Sequence, residues 1–137
     1  DSRRVEVYAG TQLVARTEGA VRVLETGSPP TFYLPPESVD MSLLTSSSRR
    51  TVCEWKGRAE YYHVNACTGR IDNAVWRYPD AFADAAAIAG WLACYPARLR
   101  CFVDGKAVRP QAGGYYGGWI TDDVVGPFKG EPGTGHW

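Results

Sequence analysis

The chain contains no Cys-x-x-Cys pair: its four cysteines, Cys53, Cys67, Cys94 and Cys101, are scattered, and its two histidines, His63 and His136, lie far apart. A zinc site would have to gather ligands from distant positions, so no metal and no cofactor is expected, and the thiols read as reduced, mostly buried small apolar groups. No apolar run approaches the roughly 18 residues of a membrane span. Asp1-Ser2-Arg3-Arg4 leads into a strand-like segment without a signal peptide's hydrophobic stretch. A cytosolic address with no membrane partner is the expectation. Excess charge of either sign is also lacking, since 15 basic and 15 acidic residues cancel. No global field attracts a polyanion, so nucleic acid is not an expected partner.

What is present suits one globular domain: 137 residues, of which 45% are hydrophobic. Residues 4–8 alternate with period two, Ala9-Gly10 marks a turn and residues 12–16 resume the alternation, which predicts a hairpin. Residues 20–25 read as a third strand, and Gly27-Ser28-Pro29-Pro30 breaks it before the aromatic strand of residues 31–34. Pro35-Pro36 stops that strand, because proline donates no ladder hydrogen bond. A short helical turn at residues 36–39 and an apolar patch at 41–44 follow, with residues 45–48 expected as a loop. Residues 49–55 and 58–65 predict a hairpin across Lys56-Gly57, and residues 70–76 another strand. Asp80 stands where it would cap a helix over residues 81–90, with Phe82, Ala85, Ala86 and Ala89 on one face. Residues 91–95 and 99–103 read as a final strand pair.

The densest reactive cluster is the stretch from Thr51 to Tyr62, which holds Cys53, Glu54, Trp55, Lys56, Glu60, Tyr61 and Tyr62. With Lys56-Gly57 as a two-residue loop, Cys53 lies opposite Glu60, and Cys53, Trp55, Glu60 and Tyr62 share one face. Packing alone accounts for Cys53 as a structural thiol. Lys56 reads either as the solvated residue of a tight turn or as an amine folded over aromatic rings, where it would bind a carboxylate or phosphate or attack a carbonyl. Glu25 ends an apolar strand at a break, a place where a side chain enters a cleft. Eight of the 15 glycines lie from Gly113 to Gly135, interleaved with Tyr115, Tyr116, Trp119, Ile120 and Phe128. Rings of that size cover something, so this tail is expected to strap over the core or a second subunit, or to close a pocket.

Five ordered blocks resemble the domain-of-unknown-function family numbered 427, a bacterial family, over residues 4–106. They are Val23-Leu24-Glu25-Thr26, Tyr33-Leu34-Pro35, the Thr51-x-Cys53-x-x-Lys56-Gly57-x-Ala59-x-Tyr61-Tyr62 run, the stretch from Asn73 to Pro79, and Ala87-Ile88-Ala89-Gly90. Many members carry proline after the cysteine, where this chain has Glu54. The resemblance implies a mainly β, β-tent-like domain: two antiparallel sheets meeting at an angle, with one α-helix, over residues 1–107. Residues 108–137 then form an irregular Gly/aromatic tail. Relatives of the tent type, such as methionine sulfoxide reductase B and the ligand-binding domain of cereblon, often hold zinc through paired Cys-x-x-Cys motifs that this chain lacks. The family is also labelled nucleotidyltransferase-like. Such enzymes need an Asp-x-Asp pair for two metal ions, and this sequence has none and no Walker-type loop.

Two classes of function follow as expectations. The first is a small-molecule-binding domain or minimal enzyme for a carbonyl-type or anionic ligand. Its aromatic pocket would be built from Glu25, Tyr33, Lys56, Tyr61, Trp76 and Tyr78, with Lys56 and Glu25 as candidate catalytic groups. The alternative is a non-catalytic interaction or structural module, with a homo-oligomer formed through the tail.

Overall fold

The computed structural model describes residues 1–24, 27–53, 56–112, 116–124 and 126. Its strands are β1 (Val5–Ala9), β2 (Gln12–Thr17), β3 (Val21–Val23), β4 (Thr31–Tyr33), β5 (Leu44–Cys53), β6 (Gly57–Ala66), β7 (Gly69–Arg77), β8 (Leu92–Cys94), β9 (Arg100–Val103), β10 (Lys106–Ala107), β11 (Arg109–Pro110) and β12 (Trp119–Ile120). The fold is mainly β and antiparallel. One four-stranded sheet has the order β10-β9-β1-β2 and the other β5-β6-β7-β8, while β3-β4 and β11-β12 form two short ribbons.

Alternation becomes burial in β1, where Val5, Val7 and Ala9 are buried and Glu6 and Tyr8 face the other way. Those buried residues join Val14, Cys101 and Val103 of the same sheet to Tyr62, Val64, Val75, Leu92 and Cys94 of the second, so one core unites both four-stranded sheets. The opposite face of β6-β7-β8 is covered as well. Ala59, Tyr61, Trp76 and Ala93 turn that way and pack with Tyr33, Tyr78, Ile88 and Tyr95 in a second core. A sheet covered on both faces needs unbroken apolar runs rather than alternation, and Ala74-Val75-Trp76 and Leu92-Ala93-Cys94 supply them. Paired backbone hydrogen bonds between Leu34 and Leu92, 2.7 and 2.9 Å, tie β4 to β8.

The structure corrects four expectations. Among the described residues there is no α-helix. The predicted helix is a 3-10 segment, Ala83–Ile88, interrupted at Ala85, with Phe82 rather than Asp80 at its start and no side-chain cap. The Phe82 amide donates to the Lys56 carbonyl at 3.0 Å and the Gly90 amide to the Tyr78 carbonyl at 2.9 Å, so both ends are pinned to the sheet. 3-10 bonding serves short connectors of this kind. Among its described side chains Ala85 and Ile88, three residues apart, are buried, while Ala86 and the flanking Phe82 and Ala89 are exposed.

Residues 45–48 belong to β5 rather than a loop, because Thr45 and Ser46 pair with His63 and Tyr62 and cross-strand packing overrides the low strand preference of serine. Residues 91–95 and 99–103 do not pair with each other: β8 adds to β7 and β9 adds to β1, in different sheets. The β5–β6 register also differs, with Cys53 opposite Gly57 and Thr51 opposite Ala59. The partner of Cys53 is offset by three residues from the expected Glu60, and an odd offset exchanges the faces. Cys53 therefore sides with Ala59 and Tyr61 rather than with Glu60 and Tyr62. Trp55 lies outside the described residues.

Candidate functional site

The second core does not close completely. A cavity of about 250 Å³ opens in it, walled by Tyr33 from β4, Tyr61 from β6, and Trp76 and Tyr78 from β7 and its continuation. Lys56 and Cys53 line it from the β5–β6 turn. The turn points inward for a local reason. Gly57 holds φ +113°, a conformation that L side chains rarely adopt, and the Lys56 carbonyl is bonded to Phe82, so the turn folds back over the sheet. Lys56 is consequently only 6% exposed, with Nζ 5.9 Å from the centre of the Tyr78 ring.

The wall is rich in hydroxyl groups. The Tyr61 hydroxyl lies 2.9 Å from Thr51 Oγ1, and the Arg49 guanidinium sits 4.8 Å above the Tyr61 ring. Trp76 and Tyr95 pack with ring centroids 4.5 Å apart. Burial, reinforced by the hydrogen-bonded Tyr61 phenol, holds the Tyr95 hydroxyl well above the ordinary tyrosine pKa, so it stays protonated. Such a surface offers apolar ring faces, neutral hydroxyl donors and one described cationic amine.

Of the residues expected from sequence, the fold brings Tyr33, Lys56, Tyr61, Trp76 and Tyr78 to one cavity, while Glu25 lies outside the described residues. Sequence reasoning missed Tyr95, Gln111, Gly117 and Gly118 as wall residues and left Tyr116 without a position. The Gly117-Gly118 pair ahead of Trp119 was a signal, because adjacent glycines mark places where a backbone approaches another group closely. Cys53 lines the cavity and packs on the second core, and His63 lies elsewhere, with Nδ1 accepting the Asn73 amide at 3.1 Å.

A larger groove of about 450 Å³ crosses the outer surface between Arg50, Val52, Arg58, Asp80 and Phe82. These side chains are exposed and none is a buried polar anchor, so the smaller cavity is the better candidate. Among the described residues no group of three His, Cys, Asp or Glu side chains converges as a metal site would require. Among them, too, no helix is long and apolar enough to cross a membrane.

No curated protein matches the chain. A family model does match, over residues 1–105, and its family is described as a domain of unknown function, DUF427. The matched segment carries both four-stranded sheets nearly whole, along with Lys56 and five of the cavity's aromatic rings, and the chain belongs to that family.

Proposed function

We propose that this chain binds a small flat ligand bearing a carboxylate or carbonyl group in the Lys56 cavity. The observation that carries the reading is a lysine residue only 6% exposed in the wall of an aromatic cavity, where a turn lysine is ordinarily solvated. Ring faces would hold a flat ligand by stacking, neutral tyrosine hydroxyls would donate to its oxygens, and the ammonium would take its charge. With a carbonyl ligand the amine would add to the carbonyl carbon and expel water, leaving an imine. The β-tent arrangement belongs to the same reading and is supported by two antiparallel four-stranded sheets around one core. A cytosolic address belongs to it as well.

Benzoate and benzaldehyde are suitable probes. Benzoate should raise the melting temperature of the wild-type chain, and Lys56→Met should abolish that effect. Benzaldehyde with cyanoborohydride should leave a reduced benzyl adduct on Lys56, read by peptide mass spectrometry. If benzoate stabilises both proteins equally or neither, and no adduct forms at Lys56, the interaction-module reading takes its place.

A further inference from the structure

The wall of the Lys56 cavity comes from two parts of the chain. Its family-matched part ends at residue 105, whereas Gln111, Tyr116, Gly117 and Gly118 lie beyond it. The second part is pressed tightly against the first. A Cβ on Gly117 would stand 2.1 Å from Cη2 of Trp76, and one on Gly118 would stand 2.4 Å from Cγ of Pro29 and 2.7 Å from Oε1 of Gln111. Only a backbone without side chains fits there.

The next residue holds this strap in place. Trp119 is fully buried in the other core, stacked on Phe32 at 4.7 Å, with its indole N–H donating to the Cys94 carbonyl at 3.0 Å and its amide to the Pro30 carbonyl at 2.8 Å. The strap cannot shift to suit a ligand without withdrawing Trp119. A cavity of about 250 Å³ is also smaller than the roughly 300–1,000 Å³ typical of pockets for drug-sized ligands.

We infer that residues 116–118 are the specificity-determining wall of this cavity, which restricts its ligand to about the size of a single substituted ring, with the Tyr116 side chain setting the limit. This rests on the reading of the cavity as a ligand site, and it assigns ligand size to a segment outside the family-matched domain. Relatives that share the lysine and rings but end differently would then accept ligands of other sizes.

Cys53 lines the cavity, so its alkylation reports access whether or not a ligand is known. In a Cys67→Ser background, which removes the exposed thiol, the rates of Cys53 labelling by iodoacetamide and by bulky fluorescein maleimide are compared by peptide mass spectrometry. Tyr116→Ala should raise the bulky-to-small ratio severalfold, and Tyr116→Phe should leave it unchanged. If Tyr116→Ala loses its far-ultraviolet circular dichroism, Tyr116→Leu replaces it with the same expectation. An unchanged ratio in folded Tyr116→Ala, or in the Tyr116→Leu that replaces it, overturns the inference even where benzoate binding depends on Lys56. A raised ratio with benzoate binding indifferent to Lys56 upholds the size-limiting wall and removes the ligand reading.

Discussion

A lysine beside glycine in a tight turn is usually the solvated member of the pair, yet Lys56 is buried and Val52, four residues past the serine run of β5, is 74% exposed. Side-chain type does not decide these positions; the direction of the turn does. The same holds for the thiols. Cys94 and Cys101 are enclosed in the core that joins the sheets, and burial pushes the Cys94 thiol up to about 12 and the Cys101 thiol well above the ordinary value of 9.0. Because the thiolate is the reactive form, both should be inert in the native state. Titration with a disulfide reagent at mildly alkaline pH should modify Cys67 first, and Cys94 and Cys101 only after unfolding. Simultaneous reaction of all four thiols in folded protein would contradict this burial.

At the scale of elements, the 3-10 segment, the β5–β6 turn and the C-terminal strap all exist because something else holds them. Gly57 combines φ +113° with a would-be Cβ 3.4 Å from the Asp80 carbonyl oxygen and 3.6 Å from the Phe82 ring. Gly57→Ala should therefore cost about 1–3 kcal/mol, the usual penalty for a side chain in a glycine-only backbone region. Urea unfolding measures this, and an unchanged midpoint would mean that the turn relaxes freely. Trp119 anchors the strap by packing and by its indole hydrogen bond. Trp119→Ala should cost about 3–5 kcal/mol, as for other buried aromatic truncations, and should also free Cys53 to bulky reagents by releasing residues 116–118.

For the whole molecule, one polar cluster links the beginning of the described chain to its end. Asp123 pairs with Arg3 at 3.4 Å and with Arg22 at 3.2 Å, and Asp1 pairs with the same two arginines at 2.8 and 3.2 Å. The hydrogen bond from the Thr121 hydroxyl, with Arg3 adding to it, lowers the Asp123 carboxyl from 3.8 to about 2. A depressed carboxylate pKa contributes stability above its unfolded value and loses it as pH falls through the folded one. The contribution should be complete above about pH 4 and fade towards about pH 2. The side chain is exposed, so the effect should be modest and should shrink in high salt. Melting temperatures across that window, compared with Asp123→Asn, check the claim; identical acid profiles for the two proteins would refute it.

Much of this was legible in the sequence, and the remainder was not, for reasons that differ by residue. Period-two alternation marked β1 and β2, turn residues marked the breaks around β3 and β4, and the clustering and order of polar and aromatic residues pointed to Lys56, Tyr33, Tyr61, Trp76 and Tyr78. These signals are local, since each depends on a residue and its near neighbours. The β5–β6 register, the separation of β8 from β9 and the 3-10 form of residues 83–88 depend on partners tens of residues away, such as Leu34 for β8 and the Lys56 carbonyl for Phe82. So does the closing of the cavity by Gly117 against Trp76. Sequence alone marked most of the strands, β1, β2, β4, β6 and β7 among them, and pointed to a set of candidate side chains. Only the tertiary structure decided which strands are neighbours and which side chains share a cavity, because a local pattern specifies the face a residue presents and not what covers that face.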